Sequence, residues 1–160
     1  MRKAFTLIEL IFVIVIIGIL AAMAIPKFKG LTANSKIASE LATASTIQSA
    51  IEDVHDEWVT NEGSFTWGNG RSSSELTSTG YPQKLGDCPN HPFNWILKNS
   101  SVVDSKWTCQ DNGDGTYTYR GPASQSNSGV TENGAGKPDS NDCWEYNNTA
   151  GTFQLKEDCS

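Results

Sequence analysis

Phe5-Thr6-Leu7-Ile8-Glu9-Leu10-Ile11-Phe12-Val13-Ile14-Val15-Ile16-Ile17-Gly18-Ile19-Leu20-Ala21-Ala22-Met23-Ala24-Ile25 contains twenty-one residues and a single charge, Glu9. As a helix rising about 1.5 Å per residue it would reach roughly 31 Å, the thickness of a bilayer's hydrocarbon core. A buried core helix is the alternative, but the rest of the chain is too polar and too small to enclose one. Arg2 and Lys3 precede the run and favour a cytoplasmic N-terminus. Lys27 and Lys29 at the other end weaken that cue.

Outward from this run the composition changes abruptly. Residues 59–160 are rich in Gly, Ser, Thr, Asn and Asp, and all four cysteines lie there: Cys88, Cys109, Cys143 and Cys159. An even set of cysteines in a small exported domain reads as two disulfides. Four cysteines allow three pairings; Cys88–Cys109 and Cys143–Cys159 are preferred because they are sequence neighbours. Strict strand alternation would put Cys143 and Cys159 on opposite faces, so the chain must bend after Lys156. Cys88-Pro89-Asn90-His91 has a C-x-x-H spacing, but no second pair completes a zinc site. A net charge of −6 leaves no basic footprint for nucleic acid.

Ala4-Phe5-Thr6-Leu7-Ile8-Glu9-Leu10, the apolar run and Ile25-Pro26 resemble the N-terminus of type IV prepilins and type II secretion pseudopilins. The resemblance covers about the first 30 residues. It implies that a prepilin peptidase cuts between Ala4 and Phe5 and that the new amine of Phe5 is methylated. Gly is commoner than Ala before the cut, so Ala4 departs mildly from the pattern. Gly18 and Pro26 match the positions that bracket a loosened or kinked stretch of helix in that family; Pro26 also lacks an N–H. An intramembrane carboxylate such as Glu9 is a functional candidate by default. After the cut, the Phe5 amine lies one helical turn away and can neutralise Glu9 of its own chain or of a stacked neighbour. The implied partners are the prepilin peptidase, other copies of the chain and related pilins, and an inner-membrane assembly platform. The implied location is the inner membrane, with the head periplasmic, or extracellular in a filament. Paired cysteines near the C-terminus tilt the reading from pseudopilin toward pilin.

The competing reading is a secreted binding domain released by a signal peptidase after Ala24, since Ala22-Met23-Ala24 fits the A-x-A pattern. Against it stand the length of the apolar run, the charge at Glu9, and a helical pattern that resumes directly after Pro26.

That pattern places Ile37, Leu41, Ala44, Ile47, Ile51, Val54 and Trp58 on one face, to be buried against the head. Lys36, Glu40, Gln48, Glu52 and His55 are expected on the opposite, solvent face. Asn61 to Gly80, polar and rich in Gly and Ser, reads as mostly loop. Two hairpins follow. Lys106–Gln110 pairs with Thr116–Arg120 around Asp111-Asn112-Gly113-Asp114-Gly115. Asp142–Asn147 pairs with Thr152–Lys156, so that Trp144 and Tyr146 meet Phe153 and Leu155 on one face. Gly121 to Asn141 reads as an exposed, mobile loop.

The expected fold is therefore α+β, a long N-terminal helix on a small antiparallel sheet. It divides into a leader (1–4), a transmembrane and assembly helix (5–25), an amphipathic helix (26–58) and a disulfide-bonded β head (59–160). Asp111, Asp114, Asp139 and Asp142 are weak calcium candidates, since the loop at 111 fails the EF-hand spacing. No nucleophile–His–acid set or phosphate loop is visible, so no catalytic role and no cofactor is expected. Asn147-Asn148-Thr149 is an N-x-T sequence with Glu145 two positions earlier; Asn99-Ser100-Ser101 lacks the acid.

Overall fold

A computed structural model describes residues 5–62 and 64–159. The expected leader, with Ala4, lies outside the described residues. The chain divides into two units, residues up to Ser35 and Lys36–Ser160.

The first unit is helical. Helix α1 spans Leu7–Thr60 and so continues into the second unit. It is helical through Gly18 and Pro26, so neither residue ends it. From Phe5 to Leu31 the large apolar side chains are exposed; Phe5 is 83% and Phe12 62% accessible. Apolar surface on this scale is what a membrane or a bundle of neighbours would cover.

In the second unit, α1 packs on a four-stranded antiparallel sheet. Its strands are β3 (Thr108–Asp111), β4 (Thr116–Arg120), β5 (Cys143–Asn147) and β6 (Thr152–Lys156), in that spatial order. The turn chemistry at Asn112-Gly113 closes β3 on β4, with Cys109 opposite Tyr119. In β5–β6, Trp144 lies opposite Leu155 and Tyr146 opposite Phe153, as the alternation predicts. Pairing of β4 with β5 joins the two hairpins, with Tyr117 opposite Tyr146.

Ile37, Ala44, Ile47, Ile51 and Val54 of α1 are buried. Ala44, Ile47 and Ile51 share one core with Phe93, Trp107, Tyr119, Trp144, Tyr146 and Phe153. Phe153 stacks on Trp144 at 5.3 Å between centroids and meets Tyr119 edge-on at 5.4 Å. Aromatic pairs in these arrangements add to the stabilisation from buried area.

Four expectations need correction. Leu41, placed on the buried stripe, is 37% exposed, and Glu40, placed on the solvent face, is fully buried. The strict three–four alternation 37, 40, 44, 47, 51, 54, 58 runs through Glu40, and geometry rather than hydrophobicity decides which residue faces the sheet. Gln48, also expected in solvent, reaches β6: the N–H of Phe153 donates to its Oε1 at 2.8 Å and its Nε2 donates to the Gly151 carbonyl. It thereby satisfies backbone groups of an edge strand, which otherwise lack partners. Asn61 to Gly80 is mostly loop, as read, with one short ribbon in it: β1 (Thr66–Trp67) pairs with β2 (Arg71–Ser72), followed by a 3₁₀ turn at Ser73–Glu75. Trp67 seals a second cluster with Val54, Leu76 and Trp95. Gly68 turns this ribbon at φ +51°, and a Cβ there would lie 2.1 Å from the Trp95 carbonyl oxygen. Finally, the 121–141 segment is not wholly exposed. Ala123, Ser124, Val130 and Asp139 are buried.

Candidate functional site

The segment with the strongest functional signal begins at Thr6. Its backbone N–H donates to Glu9 Oε2 at 2.9 Å, its hydroxyl donates to the same oxygen at 2.8 Å, and the Glu9 N–H donates to Thr6 Oγ1 at 3.4 Å. This reciprocal pairing is a capping box, which satisfies donors that a helix start leaves open. The sequence carries the signal as Thr6-Leu7-Ile8-Glu9, an S/T-x-x-E pattern. Glu9 is thus held at the helix start with its side chain exposed. Gly18 has open space where a Cβ would stand, so nothing within its own unit requires a glycine there.

In the head, Cys88 is bonded to Cys109 and Cys143 to Cys159, with Cα–Cα distances of 5.4 and 5.8 Å. The first ties the segment before α2 (Ser101–Asp104) to β3. The second needs the bend after Lys156. Asp158 supplies it at φ +56°, with its N–H donating to Asp142 Oδ1 at 3.2 Å. Cys88 is consumed by its disulfide, which removes the zinc alternative with His91.

The aspartates proposed for calcium are occupied by backbone. Asp111 Oδ1 accepts the Gly113 N–H, and Asp114 Oδ1 accepts the N–H and hydroxyl of Thr116; these hold Asp114 below the usual carboxylate range. Asp139 accepts from Asn133 and Asn141, and Asp142 from Asp139 and Asp158. Among the described residues no group of three His, Cys, Asp or Glu side chains is arranged to hold a metal. His55 stacks on Tyr81 at 4.3 Å, and His91 sits 3.9 Å from Asp104.

Two polar centres organise the head and were not foreseen. The buried Glu40 accepts the N–H groups of Ala123 and Ser124 at 2.6 and 3.1 Å and the indole N–H of Trp144 at 2.8 Å. It ties helix, loop and sheet together. Asp87 accepts from Lys84 at 2.8 Å, Trp95 at 3.1 Å and Asn94 at 3.1 Å. The Lys84 hydrogen bond is the main cause holding its carboxyl down at about 2. Arg71 and Lys84 lie over the Trp95 ring at 4.0 and 4.5 Å.

Residues 1–25 match the family described as the prokaryotic N-terminal methylation motif. The chain is 40% identical over 87 residues to the type IV narrow pilus major component PilA5 of Thermus thermophilus, a match covering 48% of this chain and 75% of that protein. The chain belongs to the type IV pilin family. This pilin is also 35% identical over 94 residues to the type IV major fimbrial protein FimA of Dichelobacter nodosus, covering 58% of this chain and 57% of FimA. With a fimbrial protein of Neisseria meningitidis it shares 40% identity over 67 residues. There the match covers 40% of the pilin and only 39% of the relative, so the chain spans about two fifths of that protein's length. No solved structure matches it significantly. The long apolar helix and small antiparallel sheet of this pilin are those of an α+β pilin fold.

Proposed function

We propose that this pilin is a structural subunit of a type IV pilus, synthesised as a prepilin and polymerised through its N-terminal helix. A prepilin peptidase cuts between Ala4 and Phe5, and Phe5 is N-methylated. The subunit waits in the inner membrane with its head on the periplasmic side. An assembly platform then passes it into a filament of further copies and related pilins. There Glu9 faces the Phe5 amine of a neighbour, and the stretch from Gly18 to Pro26 yields as helices bundle. The observation that carries this reading is the single carboxylate at the start of an otherwise apolar, uncovered stretch of helix, Leu7 to Ile25, inside the segment that matches the methylation motif. The relatives named as pilus components favour a pilus over a secretion pseudopilus.

N-terminal mass analysis of the mature protein tests the proposal. The expected chain starts at N-methylated Phe5. A chain starting at Ile25 would refute it and establish a secreted domain released after Ala24.

A further inference from the structure

We propose that Asn147 is the acceptor of an N-linked glycan. Two Asn-x-Ser/Thr sequences occur in the chain, at Asn99 and Asn147, and only Asn147 has an acidic residue, Glu145, two positions before it. Asn-x-Ser/Thr is the acceptor sequence of N-linked glycosylation, and the carboxylate beside Asn147 can pair with a basic group of a transferase.

The fold brings acid and acceptor to one surface. Along β5, Trp144 and Tyr146 are buried in the core. Alternation therefore sends Glu145 and Asn147 to the other face, where both are partly exposed. Asn147 is the last residue of β5, and the chain then turns before β6 begins at Thr152. In that turn Thr149 and Ala150 are exposed, so the residue at position +2 of the sequence is open to an enzyme.

The Asn147 carboxamide is held in the turn by its oxygen. Its Oδ1 accepts the N–H groups of Thr149 and Ala150, each at 3.0 Å. This Asx turn fixes the carboxamide by its oxygen. Among the described residues its Nδ2 donates to nothing, and it is not one of the buried polar atoms lacking a partner. The nitrogen that must react is therefore not fully buried. The turn is anchored elsewhere, by the Thr79 hydroxyl donating to the Thr149 carbonyl at 2.9 Å and Asn148 Nδ2 donating to the Gln83 carbonyl at 3.1 Å.

The donor is an oligosaccharide linked through a diphosphate to a lipid. Asn147 Nδ2 forms a bond to the anomeric carbon of the first sugar. The bond from that carbon to the diphosphate oxygen breaks, the lipid diphosphate leaves with the electron pair, and it takes up the proton that the amide nitrogen loses.

The test is mass analysis of peptides spanning Asn147 and Asn99 from the full-length protein made by its own organism. The expected result is a glycan on the Asn147 peptide and none on the Asn99 peptide. Asn147→Asp keeps an oxygen for the Thr149 and Ala150 N–H groups but has no amide nitrogen, so it should lose the glycan with the thermal midpoint unchanged. Glu145→Gln should lower occupancy about tenfold, the size of one charged contact to the enzyme. An unmodified Asn147 in the native protein, a glycan that survives Asn147→Asp, or full occupancy in Glu145→Gln would each overturn the proposal.

Discussion

Glu40 accepts three hydrogen bonds in full burial, and among the described residues no cationic side chain pairs with it. Glu40→Ala leaves two backbone N–H groups and an indole N–H without partners. Each such orphan costs about 1–3 kcal/mol, so three of them should lower stability in denaturant unfolding of the detergent-solubilised protein by at least about 3 kcal/mol. Glu40→Gln keeps the volume but turns one oxygen into a donor facing donors, and should recover only part of that loss. Sequence reasoning missed Glu40 because it sorted residues by polarity. The spacing alone, three from Ile37 and four to Ala44, would have placed it inward. Asp87 is a surface counterpart. Its ordinary pKa is 3.8 and the folded protein lowers it to about 2, chiefly through Lys84. A lowered carboxylate contributes stability above its unfolded value, and that contribution fades as pH falls from about 3.8 toward 2. Carboxyl NMR titration should find its midpoint near 2, and Lys84→Ala should move it up.

The elements that could be read from the sequence have a strong internal period or turn signal. The helix is one, and β3–β4 and β5–β6 are the others, where Tyr117, Tyr119, Trp144, Tyr146 and Phe153 alternate with polar residues. What could not be read depends on contacts between elements. The two-residue strands β1 and β2 are too short to show a period, and they exist because Trp67 packs beside Trp95 and Leu76. The 121–141 segment has few apolar residues, and its N-terminal part is pinned by Glu40 and by Arg120. The Arg120 guanidinium donates to the carbonyls of Ser124, Asp142 and Cys159. A Cβ on Gly121 would fall 2.5 Å from the Glu40 carboxylate, which shows how closely that segment approaches the helix. At the centre of the sheet's inner face, Phe153 touches the rings of Phe93, Trp107, Tyr119 and Trp144. Phe153→Ala should cost about 3–5 kcal/mol by removing a large buried ring and leaving a cavity. Val102→Ala, at a side chain 65% exposed, should change the same unfolding curve very little.

At the scale of the molecule, one unit encloses its apolar side chains and the other leaves nearly all of them uncovered. The head is closed by two disulfides and a shared aromatic core, whereas large apolar residues from Phe5 to Leu31 find no cover within their own unit. A surface of that kind is stable in lipid or against like helices, and Glu9 is its one ionised group before Lys27. Glu9 has two candidate roles that a single substitution can confuse, since its carboxylate caps the helix at Thr6 and can also pair with the amine of a neighbouring Phe5. Glu9→Ala removes both. Glu9→Gln keeps an acceptor for the Thr6 N–H, as glutamine serves in a capping box, but removes the charge. If charge pairing drives stacking, both variants should lower sheared-filament yield to below about a tenth of wild type, because an unpaired amine is expensive in a low-dielectric bundle. Both should leave the membrane pool intact, since losing a charge makes the segment more apolar and easier to insert. Filaments retained in Glu9→Gln and lost in Glu9→Ala would assign Glu9 to the helix cap, and normal yield in both would remove it from assembly.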